Sequence, residues 1–173
     1  MNKIQSILKQ ALPIELDSGR VWYDEAHAYA VSLSEEFGVD LSKVCGVISA
    51  LSVLKEWGLN KRITKQFLEG KRNVHTGLQV RKAEWILEGR DIEMCLGGLK
   101  TINFFHNILS PDNKAFVTID SHMHWMYKEY PSLTPKKYNL IKNDFINYAN
   151  QTNQIGCKVQ ACAWLVVKRI KHD

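Results

Sequence analysis

The sequence predicts an all-α fold, and three observations carry that prediction. Apolar residues recur at helical spacing along nearly the whole chain, and glycines stand between the periodic stretches. Only one run, Ala115 to Ile119, reads as extended, and a single short strand has nothing to pair with, so no significant sheet is expected. In chain order, Trp22, Ala26, Tyr29, Ala30, Leu33 and Phe37 mark one helix that stops at Gly38. Asp40 stands where an N-cap belongs, ahead of a helix through Val44, Val47, Ile48 and Leu51 whose apolar character all round predicts deep burial. Further periodic segments cover about 59–69, 78–88, 99–109, 121–130, 135–150 and 157–171. Thr134 followed by Pro135 is a cap and first-turn pair for the helix at 135.

The 173 residues, 45% of them apolar and 10% aromatic, suffice for one compact helical domain with its own core. No Pro- or Ser-rich linker or internal repeat divides them. Lys and Arg outnumber Asp and Glu by 23 to 18, and a formal charge of +5 suits a polyanionic partner. Cys45, Cys95, Cys157 and Cys162 form no CxxC pair and the amino terminus is not signal-like. Free thiols and a cytoplasmic location are therefore expected. The uncharged apolar runs are too short to span a bilayer, so no membrane association is expected.

Two constellations carry chemistry. Gly97-Gly98-Leu99-Lys100-Thr101 joins a short helix ending after Met94 and Leu96 to one that buries Ile102, Phe105 and Ile108. A tight glycine turn at a helix start offers backbone amides to a phosphate, and Lys100 adds a positive charge or an amine nucleophile. An ordinary helix C-cap uses glycine at the same place. Asp120, twenty residues after Lys100, precedes Ser121-His122-Met123-His124-Trp125 and can cap that helix through amide hydrogen bonds. A carboxylate facing a sugar would stabilise positive charge at the anomeric carbon or position an attacking water or amine. A plain N-cap is the simpler reading of the same residue. His122 and His124 with Asp120 also spell a possible metal set, although i and i+2 lie on different faces of a helix. KEWGLNKR, Lys55 to Arg62, and the terminal KRIKH supply positive charge for a backbone contact or a solvated surface. WYDEAH, Trp22 to His27, reads as packing and helix-start acids.

From Val44 to the end, roughly three quarters of the chain, blocks appear in an order that resembles the helix-hairpin-helix DNA glycosylase superfamily, the group that includes endonuclease III and 8-oxoguanine glycosylase. VISALSVLKEWGLNK resembles the family's buried helix and following turn, GLQVRKAEWIL its GLxxxKAxxI helix, and LGGLKT its hairpin. VTIDSHMHW resembles the VDxHxxR segment and CKVQACAWLVVKRI the closing helix. Residues 1–40 have no counterpart and stand as additional amino-terminal helices beside the 44–173 region. The chain is short and resembles the small phage relatives of the superfamily, and that resemblance implies a bacterial or phage-infected host cytosol.

The resemblance implies a two-lobed helical bundle with a helix-hairpin-helix turn, DNA between the lobes and a flipped base in a pocket. It implies Lys100 as the amine that attacks the sugar in bifunctional members and Asp120 as the carboxylate present in mono- and bifunctional members alike. An amine nucleophile at Lys100 calls for burial beside the pocket. Gly97, Gly98, Leu99, Thr101, His122 and Lys61 then fall to DNA binding, and Leu54, Trp57 and His124 to the substrate pocket, with His75 and Trp85 further candidates. Cys95-Leu96-Gly97 stands where Pro-Gly-x is usual in the hairpin, and Leu54 stands where many members carry a polar residue. The four closely spaced cysteines of the family's iron-sulfur loop are missing, so no cofactor and no metal are expected. The function so implied is cleavage or remodelling of the N-glycosidic bond of a damaged or modified base, with lyase chemistry at abasic sites. A non-catalytic DNA-binding module and a metal-dependent hydrolase built on Asp120, His122 and His124 are the alternatives.

Overall fold

Every regular element among residues 2–172, which the computed structural model describes, is an α-helix. They are α1 (Lys3–Leu8), α2 (Pro13–Phe37), α3 (Leu41–Ala50), α4 (Trp57–Leu68), α5 (Gly77–Leu87), α6 (Ile92–Leu96), α7 (Leu99–Leu109), α8 (Ser121–Trp125), α9 (Pro135–Gln151) and α10 (Gly156–His172). The chain forms two compact units. One combines the residues up to Glu25 with those from Ser110 onward, and the other is the continuous segment Ala26–Leu109.

The second unit is built around α3. All residues from Val44 to Ala50 are buried, as an all-round apolar helix requires, and α4, α5, α6 and α7 pack against it. Gly46 makes the closest of these approaches possible, since a Cβ there would meet Ile92 Cγ2 at 2.9 Å and Ile86 Cγ2 at 3.2 Å. Asp40 does occupy the N-cap position of α3, but its side chain makes no capping hydrogen bond. The last turn of α2 closes at Gly38, whose φ of +62° is a left-handed conformation suited to glycine. His27 Nδ1 lies 2.9 Å from the Ile108 carbonyl, tying α2 to the end of α7 inside this unit.

In the first unit α10 is the central element. Its buried stripe includes Val159, Cys162, Ala163, Val166 and Val167, and α1, α8 and α9 pack around it. α2 begins at Pro13, well before the periodic stretch that starts at Trp22. Pro13 takes the first helical position, and the Leu12 amide donates to Glu15 Oε2 at 2.8 Å, one half of a capping box. Arg169 Nε donates to Glu15 Oε1 at 2.7 Å, and this bond holds the Glu15 carboxyl below its usual range. α8 is shorter than the predicted 121–130, because from Met126 the chain turns with i−3 hydrogen bonds. Thr134 caps α9 with Pro135 at its first turn, as expected.

The run that reads as extended is extended but joins no sheet. Val117, Thr118 and Ile119 are buried, and the Tyr138 hydroxyl from α9 serves as a substitute ladder partner. It accepts from the Ile119 amide at 3.1 Å and donates to the Val117 carbonyl at 3.2 Å. This run delivers Asp120 to the start of α8.

Candidate functional site

Asp120 is held from three directions within the first unit. As the N-cap of α8, its Oδ1 accepts from the amides of His122 at 2.9 Å and Met123 at 3.0 Å. Its Oδ2 accepts from Trp164 Nε1 at 2.8 Å. A half-buried carboxylate in such a set is rigid, and with both sites of Oδ1 taken it is Oδ2 that keeps a lone pair for a further contact. The cap is legible in the sequence, whereas the Trp164 bond joins residues 44 apart and is not. Its one local signal is the need of a partly buried indole N–H for an acceptor.

The two histidines beside Asp120 have different surroundings. His122 sets its ring edge-on against Trp164, with centroids 5.5 Å apart and planes at 77°. Burial lowers its proton affinity, the Asp120 charge opposes that, and Lys171, Lys168 and His172 add to the lowering. His124 donates from Nε2 to the Tyr130 carbonyl at 2.8 Å and so braces the turn after α8. Among the described residues no three His, Cys, Asp or Glu side chains converge where they could hold a metal ion. The Asp120, His122 and His124 hydrolase alternative therefore has no assembled ligand set.

Lys100 and the glycines belong to the second unit. Asp91 caps α6 by accepting from the Met94 amide at 2.8 Å, and α6 ends at Gly97, left-handed with φ of +72°. The Gly97 amide donates to the Glu93 carbonyl, Lys82 Nζ donates to the Leu96 carbonyl at 2.9 Å, and α7 begins at Leu99. Thr101 Oγ1 turns back to the Gly98 carbonyl at 3.0 Å, while Ser49 Oγ donates to the Thr101 carbonyl at 2.6 Å. The result is a short helix, a two-glycine turn and a longer helix, fixed to the buried α3. Gly97, Gly98 and Lys100 are exposed. Lys100 thus lacks the burial that the nucleophile role leads one to expect, because the first turn of α7 stands at the surface.

The connection from α3 to α4 carries the other predicted residues. Leu54 has a φ of +57° and is 93% exposed. His75 Nε2 meets the neighbouring Val53 carbonyl at 2.9 Å, which pins the loop beneath it. Trp57 packs edge-on against Tyr29 at 6.1 Å, and Lys61 Nζ lies 5.6 Å from the centre of each ring. Lys61 is therefore laid along an aromatic pair. Trp85 carries Arg90 over its ring at 5.0 Å. Two shallow concavities of about 410 and 420 Å³ open on this unit, the first beside Lys43, Arg90 and Phe105 and the second among Arg72, Arg81 and Glu84. Neither includes Leu54 or Trp57.

The predicted site residues thus divide by unit. Asp120, His122 and His124 fall in the first, while Lys100, the glycine turn, Leu54, Trp57 and Lys61 fall in the second. No helix among the described residues is long and apolar enough to cross a membrane. Comparison with curated proteins finds no match, and neither does comparison with solved structures. A family model matches residues 1–171, and on that extent the chain belongs to the Family of unknown function (DUF7178).

Proposed function

We propose that this protein acts on DNA and cleaves or remodels the N-glycosidic bond of a damaged or modified base. The observation that carries this reading is the fixation of Asp120 by three N–H donors. Breaking the bond between C1′ and the base leaves positive charge on the sugar while the base departs with the electron pair. A preorganised carboxylate stabilises such charge without reorganising during the reaction. Water completes the reaction in the monofunctional case. In the bifunctional case the Lys100 amine bonds to C1′ as the base leaves, and loss of a proton with ring opening gives a Schiff base. The order of motifs shared with helix-hairpin-helix glycosylases supports the assignment, as does the short helix, left-handed glycine and following helix at 92–109. In this reading the exposed start of α7, after the glycine turn, presents its first-turn amides to a backbone phosphate.

The exposure of Lys100 favours a second reading, in which this lysine contacts phosphate and performs no covalent chemistry, as in a DNA-binding module. Borohydride trapping separates the two on duplexes carrying an abasic site, uracil, an oxidised base or hydroxymethyluracil. Hydride reduces the iminium to a stable amine, so a covalent band lost in Lys100→Ala identifies the lyase. Base release without trapping, abolished by Asp120→Asn, identifies a monofunctional enzyme. Salt-sensitive binding with neither product leaves the binding module.

A further inference from the structure

Trp164 stands on the side of α10 that meets Asp120. One turn earlier on the same helix, Gln160 is buried and accepts from the Tyr23 hydroxyl at 3.2 Å, which fixes the register of α10 there. The indole is braced in turn by His122, edge-on at 5.5 Å, and by Lys168, whose Nζ lies 4.8 Å from the ring centre. A partly buried indole N–H needs an acceptor wherever it lies, and packing alone would account for a bond to any nearby carbonyl. Two observations go further. The cap of α8 is complete without Trp164, because Oδ1 of Asp120 serves both amides and Oδ2 serves neither. A partly buried carboxylate is also ordinarily paired with a cation, yet no ion pair among the described residues includes Asp120. Its three donors are neutral N–H groups.

We propose that Trp164 is a positioning residue for Asp120: its indole N–H sets the plane of the carboxylate, so that the open lone pair of Oδ2 is the one presented to substrate. The torsion about the Cβ–Cγ bond of an aspartate is broad and roughly two-fold, and bonds to one oxygen restrain it weakly. A donor on the other oxygen fixes it. The chemistry also favours an indole over a lysine or arginine at this place. An ammonium or guanidinium would cancel the charge that must act on the developing sugar cation, whereas the indole N–H donates a bond and carries no charge. The role of the open oxygen rests on the glycosidic-bond reading, but the hold of Trp164 on the carboxylate does not.

Trp164→Phe removes the donor. Replacing Trp164 by benzothienylalanine removes it as well but keeps the fused-ring shape, since sulfur takes the place of the N–H, and so guards against a loss that comes from packing. Crystal structures of the full chain compare the Asp120 torsion in the wild type and both variants, and single-turnover base release is followed on whichever duplex the wild type processes. In both variants the carboxylate is expected to turn by about 30° or more, or to divide between two orientations. The rate of base release should fall by about tenfold to a hundredfold, with the half-saturating DNA concentration within about twofold of the wild type. An unturned carboxylate in the benzothienylalanine protein overturns the proposal, and so does a turned one with an unchanged rate. If the wild type releases no base from any duplex, the glycosidic-bond reading falls, and the torsion alone decides whether Trp164 holds the carboxylate.

Discussion

Leu54 combines two properties that rarely meet in one residue. Its left-handed backbone, φ +57°, costs a leucine about 1–2 kcal/mol, and a side chain 93% exposed recovers nothing from packing. Leu54→Gly is therefore expected to raise stability, by up to about 1 kcal/mol once glycine's greater freedom in the unfolded chain is subtracted. Leu54→Ala keeps the strained backbone and should be nearly neutral. Urea midpoints of the three proteins check this, and a loss on Leu54→Gly would mean that contacts hold the loop. If the protein acts on DNA, the same glycine should lower activity, since an apolar side chain held clear of the surface suits insertion between bases. Strain of this kind is invisible in sequence, where the resemblance makes Leu54 a substrate-pocket candidate and nothing marks its backbone as left-handed. The cap at Asp120 is visible there because it is local.

The extended run before α8 takes two hydrogen bonds from one hydroxyl. Tyr138→Phe removes the acceptor of the buried Ile119 amide and a donor to the Val117 carbonyl, at an expected loss of roughly 2 kcal/mol by thermal or urea unfolding. A loss below about 0.5 kcal/mol would show that another partner takes over. The meeting of α2 and α10 is as tight, because a Cβ on Gly19 would lie 2.6 Å from the backbone N and Cα of Cys162. Gly19→Ala should cost about 1–3 kcal/mol from overpacking, whereas Gly77→Ala, with open space around it, should not. Stability of the two variants, measured side by side, decides the point. These contacts also explain which helices the sequence revealed. α7 matches its predicted range, because Ile102, Phe105 and Ile108 form a stripe that starts after the glycine pair and stops ahead of Ser110-Pro111. The first half of α2 escaped because Leu12, Ile14 and Val21 are exposed and mark no inward face. What fixes that half is Gly19 against Cys162 and Glu15 against Arg169, partners more than a hundred residues away.

Across the molecule, buried weak acids set the behaviour in alkali. Burial pushes the Cys45 and Cys157 thiols up to about 12 and raises the Tyr23 hydroxyl as well. Folding thus favours the protonated forms, so their contribution is complete below the unfolded thiol value of 9.0 and is lost as pH rises towards 12. Urea unfolding should show a stability plateau near neutrality and a decline that begins above about pH 9. A flat profile to pH 11 would mean the thiols are solvated. All-helical class and a basic balance were legible from composition and period alone, but the division at Glu25 and Leu109 was not, since no change of composition marks it. That division sets an order of events during synthesis. Ala26–Leu109 leaves the ribosome as one continuous piece with its whole core, so it can fold while translation continues. The stretch before it must wait for partners from Ser110 onward, since α1 packs against α10, which emerges after every other described helix. Among the described helices, α1 is thus completed by one made long after it.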